Sequence, residues 1–70
     1  MPLANELSNR VSQALLNDPR TDQVVIEVSA EQGVVTLSGT VDSPGTSQAA
    51  EEIARSQRGV VSVINQLKVS

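Results

Sequence analysis

The side chains in this chain that could do chemistry are few, and their identities already exclude most reactions. There are five cations, Arg10, Arg20, Arg55, Arg58 and Lys68, set against eight carboxylates, with no histidine and no cysteine. The usual general base near neutral pH, the thiolate nucleophile and the commonest nitrogen and sulfur metal ligands are therefore missing. A Ser–Lys pairing is the activated nucleophile that this composition still allows. Glu51 and Glu52 are adjacent on a predicted helix and read as solvated surface, not as a metal site. The residues thus argue against an enzyme, and no catalytic residue, metal ligand or cofactor is assigned.

Binding is the chemistry left. Arg55 and Arg58 stand three apart near the end of the second predicted helix, where cations offset the macrodipole and where a phosphate or an acidic partner could also be met. Arg10 joins them only if the first helix lies alongside. Leu16 points away from the apolar stripe of its own helix, so it either caps a sheet edge or faces a partner. Arg10, Leu16, Arg55 and Arg58 are the candidate lipid or partner contacts. Nucleic-acid binding asks for clustered cations and aromatic stacking platforms. The chain has a formal net charge of −3 and no Phe, Trp or Tyr, so no nucleic-acid partner is expected.

The elements that would position these residues follow from periodicity. Leu3, Leu7, Val11, Ala14 and Leu15 form one stripe of a helix over residues 3–17, and Asn17-Asp18-Pro19 stops it. Residues 23–29 alternate as a half-buried strand with Val24, Ile26 and Val28 on one face. Ala30 to Gly33 reads as a polar hairpin turn. The second strand, 33–41, puts Val35, Leu37, Gly39 and Val41 on the core side. A second helix, 44–58, opens with Asp42 or Ser43 as cap and Pro44 in its first position, and Gly59 stops it. Its inward stripe is thin, with Ala49, Ala50, Ile53 and Ala54 at its centre. A third strand over 60–69 places Val61, Val63, Asn65, Leu67 and Val69 inward.

The order α-β-β-α-β, in one domain over 1–70, predicts an α+β two-layer sandwich: two helices on one face of a three-stranded sheet. A mixed sheet, with the third strand parallel to the second, is the preferred arrangement, and the other face is left polar. Without aromatics, disulfides or a structural zinc, the core must be aliphatic. Gly33 and Gly59 are structural punctuation. Gly39 is placed beneath the alanine stripe of the second helix, where its missing side chain would let the helix backbone approach the sheet; a bulge or sharp twist at the end of the strand is the rival explanation, and the two are compatible. Asn65, polar at a core position, is expected to bond to a turn or a helix end, since a buried amide without partners is costly.

The run G-V-V-T-L-S-G-T-V from Gly33 to Val41 and the closing G-V-V-S-V-I-N-Q-L-K-V from Gly59 to Val69 resemble the BON domain. So do the Ala14-Leu15 pair and the placing of Ile26 and Val28, and Gly39 matches the hallmark glycine of that family. The similarity extends from about Leu3 to Val69, and its signposts are apolar residues and glycines. What it implies is a non-enzymatic αββαβ module of bacterial envelope proteins, often in tandem or fused to other domains. Such modules are associated with phospholipid binding and with maintaining membranes under osmotic stress. A periplasmic or other envelope location is expected on that ground, with the chain a domain excised from a longer protein, since no signal peptide opens it. Association with other envelope proteins or with itself, through a sheet edge or the open sheet face, is the alternative.

Overall fold

A computed structural model describes residues 6–70, so the predicted position of Leu3 lies outside the described residues. The elements are α1 (Glu6–Leu16), β1 (Ile26–Glu31), β2 (Val34–Val41), α2 (Pro44–Arg55) and β3 (Ser62–Val69). The sheet runs β1-β2-β3, with β1 antiparallel and β3 parallel to β2. This is the mixed α+β arrangement expected. One core joins Val11 and Leu15 of α1, Val35 and Leu37 of β2, and Ala50, Ile53 and Ala54 of α2. Both helices therefore cover the same face of the sheet.

The helix ends show local chemistry at work. Ser43 caps α2, accepting from the Thr46 N–H at 3.2 Å, and Pro44 begins the helix. That helix stops at Arg55, earlier than the predicted 58: beyond the Ser56 cap the Gln57 N–H bonds three residues back, to the Ala54 carbonyl at 3.2 Å, and not four. Arg58 thus belongs to the turn that precedes β3. The end of α1 is held by a residue that periodicity did not mark. Thr21 is buried, and its hydroxyl donates to the Leu15 carbonyl at 2.6 Å, a helix-end acceptor that otherwise has only the Asp18 N–H at 3.4 Å.

Three strand features differ from expectation. β1 starts at Ile26 and continues to Glu31, so Val24 sits in the preceding turn, and the hairpin narrows to Gln32-Gly33. Both of those residues have positive φ, 53° and 84°, the geometry that matches a two-residue turn to the right-handed twist of its strands. Val61 was assigned to the core but is 79% exposed, and Val60 packs inward instead. The strand alternation begins only at Ser62, after the chain has swung through Gly59 at φ 96°.

Gly39 does lie on the core side, between Leu37 and Val41, but not for the predicted reason. A Cβ there would stand 2.8 Å from the Val25 carbonyl oxygen and 3.7 Å from the Ile26 Cα. The nearest atoms all belong to the chain leading into β1, and none to α2. Its φ of 131° is also a conformation that residues with a side chain rarely adopt. Close approach of a crossing strand, rather than of a helix, makes the glycine necessary. The alanines of α2 close instead over Val35 and Leu37.

Candidate functional site

The β1–β2 turn, the start of α1 and the end of α2 meet at one end of the molecule. There Arg10 of α1 donates from Nη1 to the Arg58 carbonyl at 2.9 Å, so the first helix does lie alongside the end of the second. A Cβ on Gly59 would meet Leu7 at 3.6 Å and Arg10 at 3.9 Å. Next to this pair, the Val61 N–H donates to the Gly33 carbonyl at 2.7 Å, which fixes the exposed Val61 side chain at the same end. Arg10 also lies 3.8 Å from Glu6, itself almost wholly solvated. Among the described residues no carboxylate pairs with Arg58. A guanidinium carries five N–H donors, so this end retains donors for an anion beside an exposed aliphatic side chain.

The other two candidates are elsewhere. Arg55 is bound to Glu51 one turn back at 2.6 Å, and Glu51 also accepts from the Asn65 side chain at 3.2 Å. Glu51 is accordingly half-buried, a correction to its reading as solvated surface. Asn65 donates further to the Ser47 hydroxyl at 3.1 Å and the Ser47 carbonyl at 3.3 Å, while its own carbonyl accepts from the Leu67 N–H at 2.9 Å. Its partners are α2 and its own strand. Leu16, 55% exposed, stands at the far end of α1. It lines a shallow groove of about 210 Å³ with Leu15, Thr21, Val24, Val25 and Ile26. At 3.6 residues per turn, Leu16 and Arg10 point about 120° apart around the helix. They do not form one surface.

Two features were missed by sequence reasoning. Val61 was hidden by extending strand parity back through a turn, and Gly59 was the available signal that alternation should restart. The second is an ion-pair set between the α1–β1 loop and α2. Arg20 lies 3.1 Å from Asp18 and 3.6 Å from Glu52. The Arg20 side chain, bonded to both oxygens of Asp18, holds that carboxyl below its ordinary value of 3.8, and the Arg20 backbone N–H at 2.8 Å adds to the effect. Only the Asp18-Pro19-Arg20 spacing hinted at the local pair, and nothing in the sequence indicated Glu52.

The largest hollow, about 570 Å³, is on the uncovered sheet face between Ser29, Glu31, Gln32, Val34, Thr36 and Ile64. It holds one carboxylate and no cation and is wide open, so the arginine end is the better candidate for an anion. Among the described residues no three His, Cys, Asp or Glu side chains are grouped to hold a metal ion.

Fold and surface together define a small two-layer α+β module whose polar groups are arranged for contact. The family model for the BON domain matches residues 4–70, and the chain belongs to that family. It is also similar to "Osmotically-inducible protein Y" of Escherichia coli (strain K12), with 43% identity over 61 residues. That match covers 87% of this chain and 30% of the relative, so the chain spans less than a third of that protein's length.

Proposed function

We propose that this chain is a non-catalytic module of the bacterial cell envelope that engages phospholipid at a membrane surface. The observation that carries the reading is the meeting of Arg10 and Arg58 beside the exposed Val61. Arginine donors suit the oxygens of a headgroup phosphate, and an aliphatic side chain next to them suits the headgroup–acyl boundary. Arg55, neutralised by Glu51, and Leu16 both lie outside this contact. Among the described residues no helix is long and apolar enough to cross a membrane, and the contact proposed is one of surface attachment. The net charge of −3 opposes anionic lipid at long range, so attachment depends on this local patch. Similarity to a protein named as osmotically inducible supports a place in the response to osmotic stress, and family membership supports a periplasmic location.

Flotation with phosphatidylglycerol and phosphatidylcholine vesicles at low salt tests the reading. The chain is expected to float with the anionic vesicles and to detach as salt rises. Replacing both arginines, Arg10→Gln with Arg58→Gln, should weaken binding about 30-fold, from about 1 kcal/mol for each cation near the surface. Failure of the folded chain to float with either vesicle overturns the proposal.

A further inference from the structure

Strand β3 is an outer strand of the sheet, and one of its outward-facing N–H groups is already occupied. The ladder to β2 assigns the directions. The Ser62 N–H donates to Gly33 and the Ser70 N–H to Val41, both on the β2 side. In a parallel pair, alternate residues bond to the same neighbour, so the even-numbered residues of β3 face β2. The backbone groups of Val63, Asn65, Leu67 and Val69 face away from the sheet. The Leu67 N–H does not wait for water, since it donates to the Asn65 side-chain carbonyl at 2.9 Å. That carbonyl is held in place from the other end of the same amide, which donates to Ser47 and Glu51 of α2.

An eight-residue outer strand with no proline and a single charge, Lys68, is poorly protected by composition. We propose that Asn65 guards the β3 edge: its carbonyl occupies the Leu67 N–H in the middle of the outward row, and loss of that carbonyl lets a second copy of this chain add to β3. Charge does not oppose a second copy as the occupant. In antiparallel pairing centred on Asn65, Ser62 faces Lys68 of the other copy and Ile64 faces Gln66, so no like charges oppose. A two-fold contact of this kind is self-complementary. The guard also explains why a polar residue stands at a core-parity position: its placement beneath α2 fixes the carbonyl, and the carbonyl closes the edge.

Sedimentation velocity over a range of concentrations, with amide exchange on the same samples, tests the guard. In the wild type the Leu67 amide should exchange about tenfold more slowly than those of Val63 and Val69, the ratio that one hydrogen bond of ordinary net strength supports. Asn65→Val should shift the chain toward a dimer at concentrations where the wild type remains smaller, with new protection at Val63 and Val69. Asn65→Asp combined with Glu51→Gln, which keeps an acceptor for Leu67 and lets α2 supply the donor between the two side chains, should sediment as the wild type does. The proposal is overturned if Asn65→Val is folded and sediments as the wild type, or if the Asn65→Asp/Glu51→Gln variant dimerises equally. Wild-type Leu67 exchanging as fast as Val63 overturns it too, whether or not Asn65→Val folds.

Discussion

The two ends of this sheet treat the same kinds of residue in opposite ways. At the end where α1 finishes, Arg20 is bracketed by Asp18 and Glu52, Thr21 is buried against the last carbonyls of the helix, and Gly39 lies under a crossing carbonyl. At the hairpin end Arg10 touches a backbone carbonyl and a solvated glutamate, Arg58 has no carboxylate partner among the described residues, and Val61 faces water. One end uses its polar groups to hold elements together, and the other leaves them on offer. An arginine is therefore a tether or a ligand contact according to what the fold brings to it, and residue type does not distinguish the two.

The sharpest way to break this contrast is through its glycines. Gly39→Ala places a Cβ against backbone that cannot move aside, at a φ that side chains avoid, and should cost about 3 kcal/mol or more. At Gly33, φ 84° is a milder left-handed conformation, and the closest obstacle is a methyl of Val61, the end of an exposed side chain that can swing away. Gly33→Ala should cost about 1–2 kcal/mol. Urea unfolding of both variants checks the order, and equal losses would mean that the two ends are equally rigid. Thr21→Val keeps the shape but leaves the Leu15 carbonyl only the longer bond from the Asp18 N–H at 3.4 Å, with an expected loss of about 1 kcal/mol in the same assay and no change in vesicle binding.

The smallest effect concerns pH. Asp18 has a lower value folded than unfolded, so its contribution is present above the unfolded value of about 3.9 and is lost as pH falls through the lower folded one. Thermal midpoints should therefore favour the wild type over Asp18→Asn at neutral pH, with the gap closing as pH falls through the lowered folded value. The gap should also shrink in high salt, because the pair is exposed. A gap that persists in acid would show that Asp18 acts by some means other than its charge.

Much of the fold was legible in advance because short-range physics dictates it. Alternation in 34–41, the stripe of Leu7, Val11 and Leu15, and the Ser43-Pro44 start of α2 each carry their instruction within a few residues. Asn65 was expected to bond to a turn or a helix end, since a polar amide facing the core must be satisfied; it bonds to Ser47 in the first turn of α2, to Glu51 further along that helix, and to its own strand. The failures fall where two distant segments meet. Gly39 was assigned to the wrong neighbour, because parity gives a direction and not the identity of what lies there. Glu51 was read as solvated because helical periodicity alone does not reveal that β3 brings an amide beside it. Val61 was lost where the alternation restarts after a turn.

By itself, then, the sequence determined the order of the elements, the aliphatic core and the lack of a histidine or cysteine for chemistry. Those depend on local periodicity and on composition, which need no knowledge of the rest of the molecule. Only the tertiary structure decided that Arg10 meets Arg58 across 48 positions, that Arg20 reaches Glu52, and that Asn65 turns its carbonyl to the outer edge of β3. The reason is range: a hydrogen bond or ion pair acts over a few ångströms, and folding sets which residues come that close.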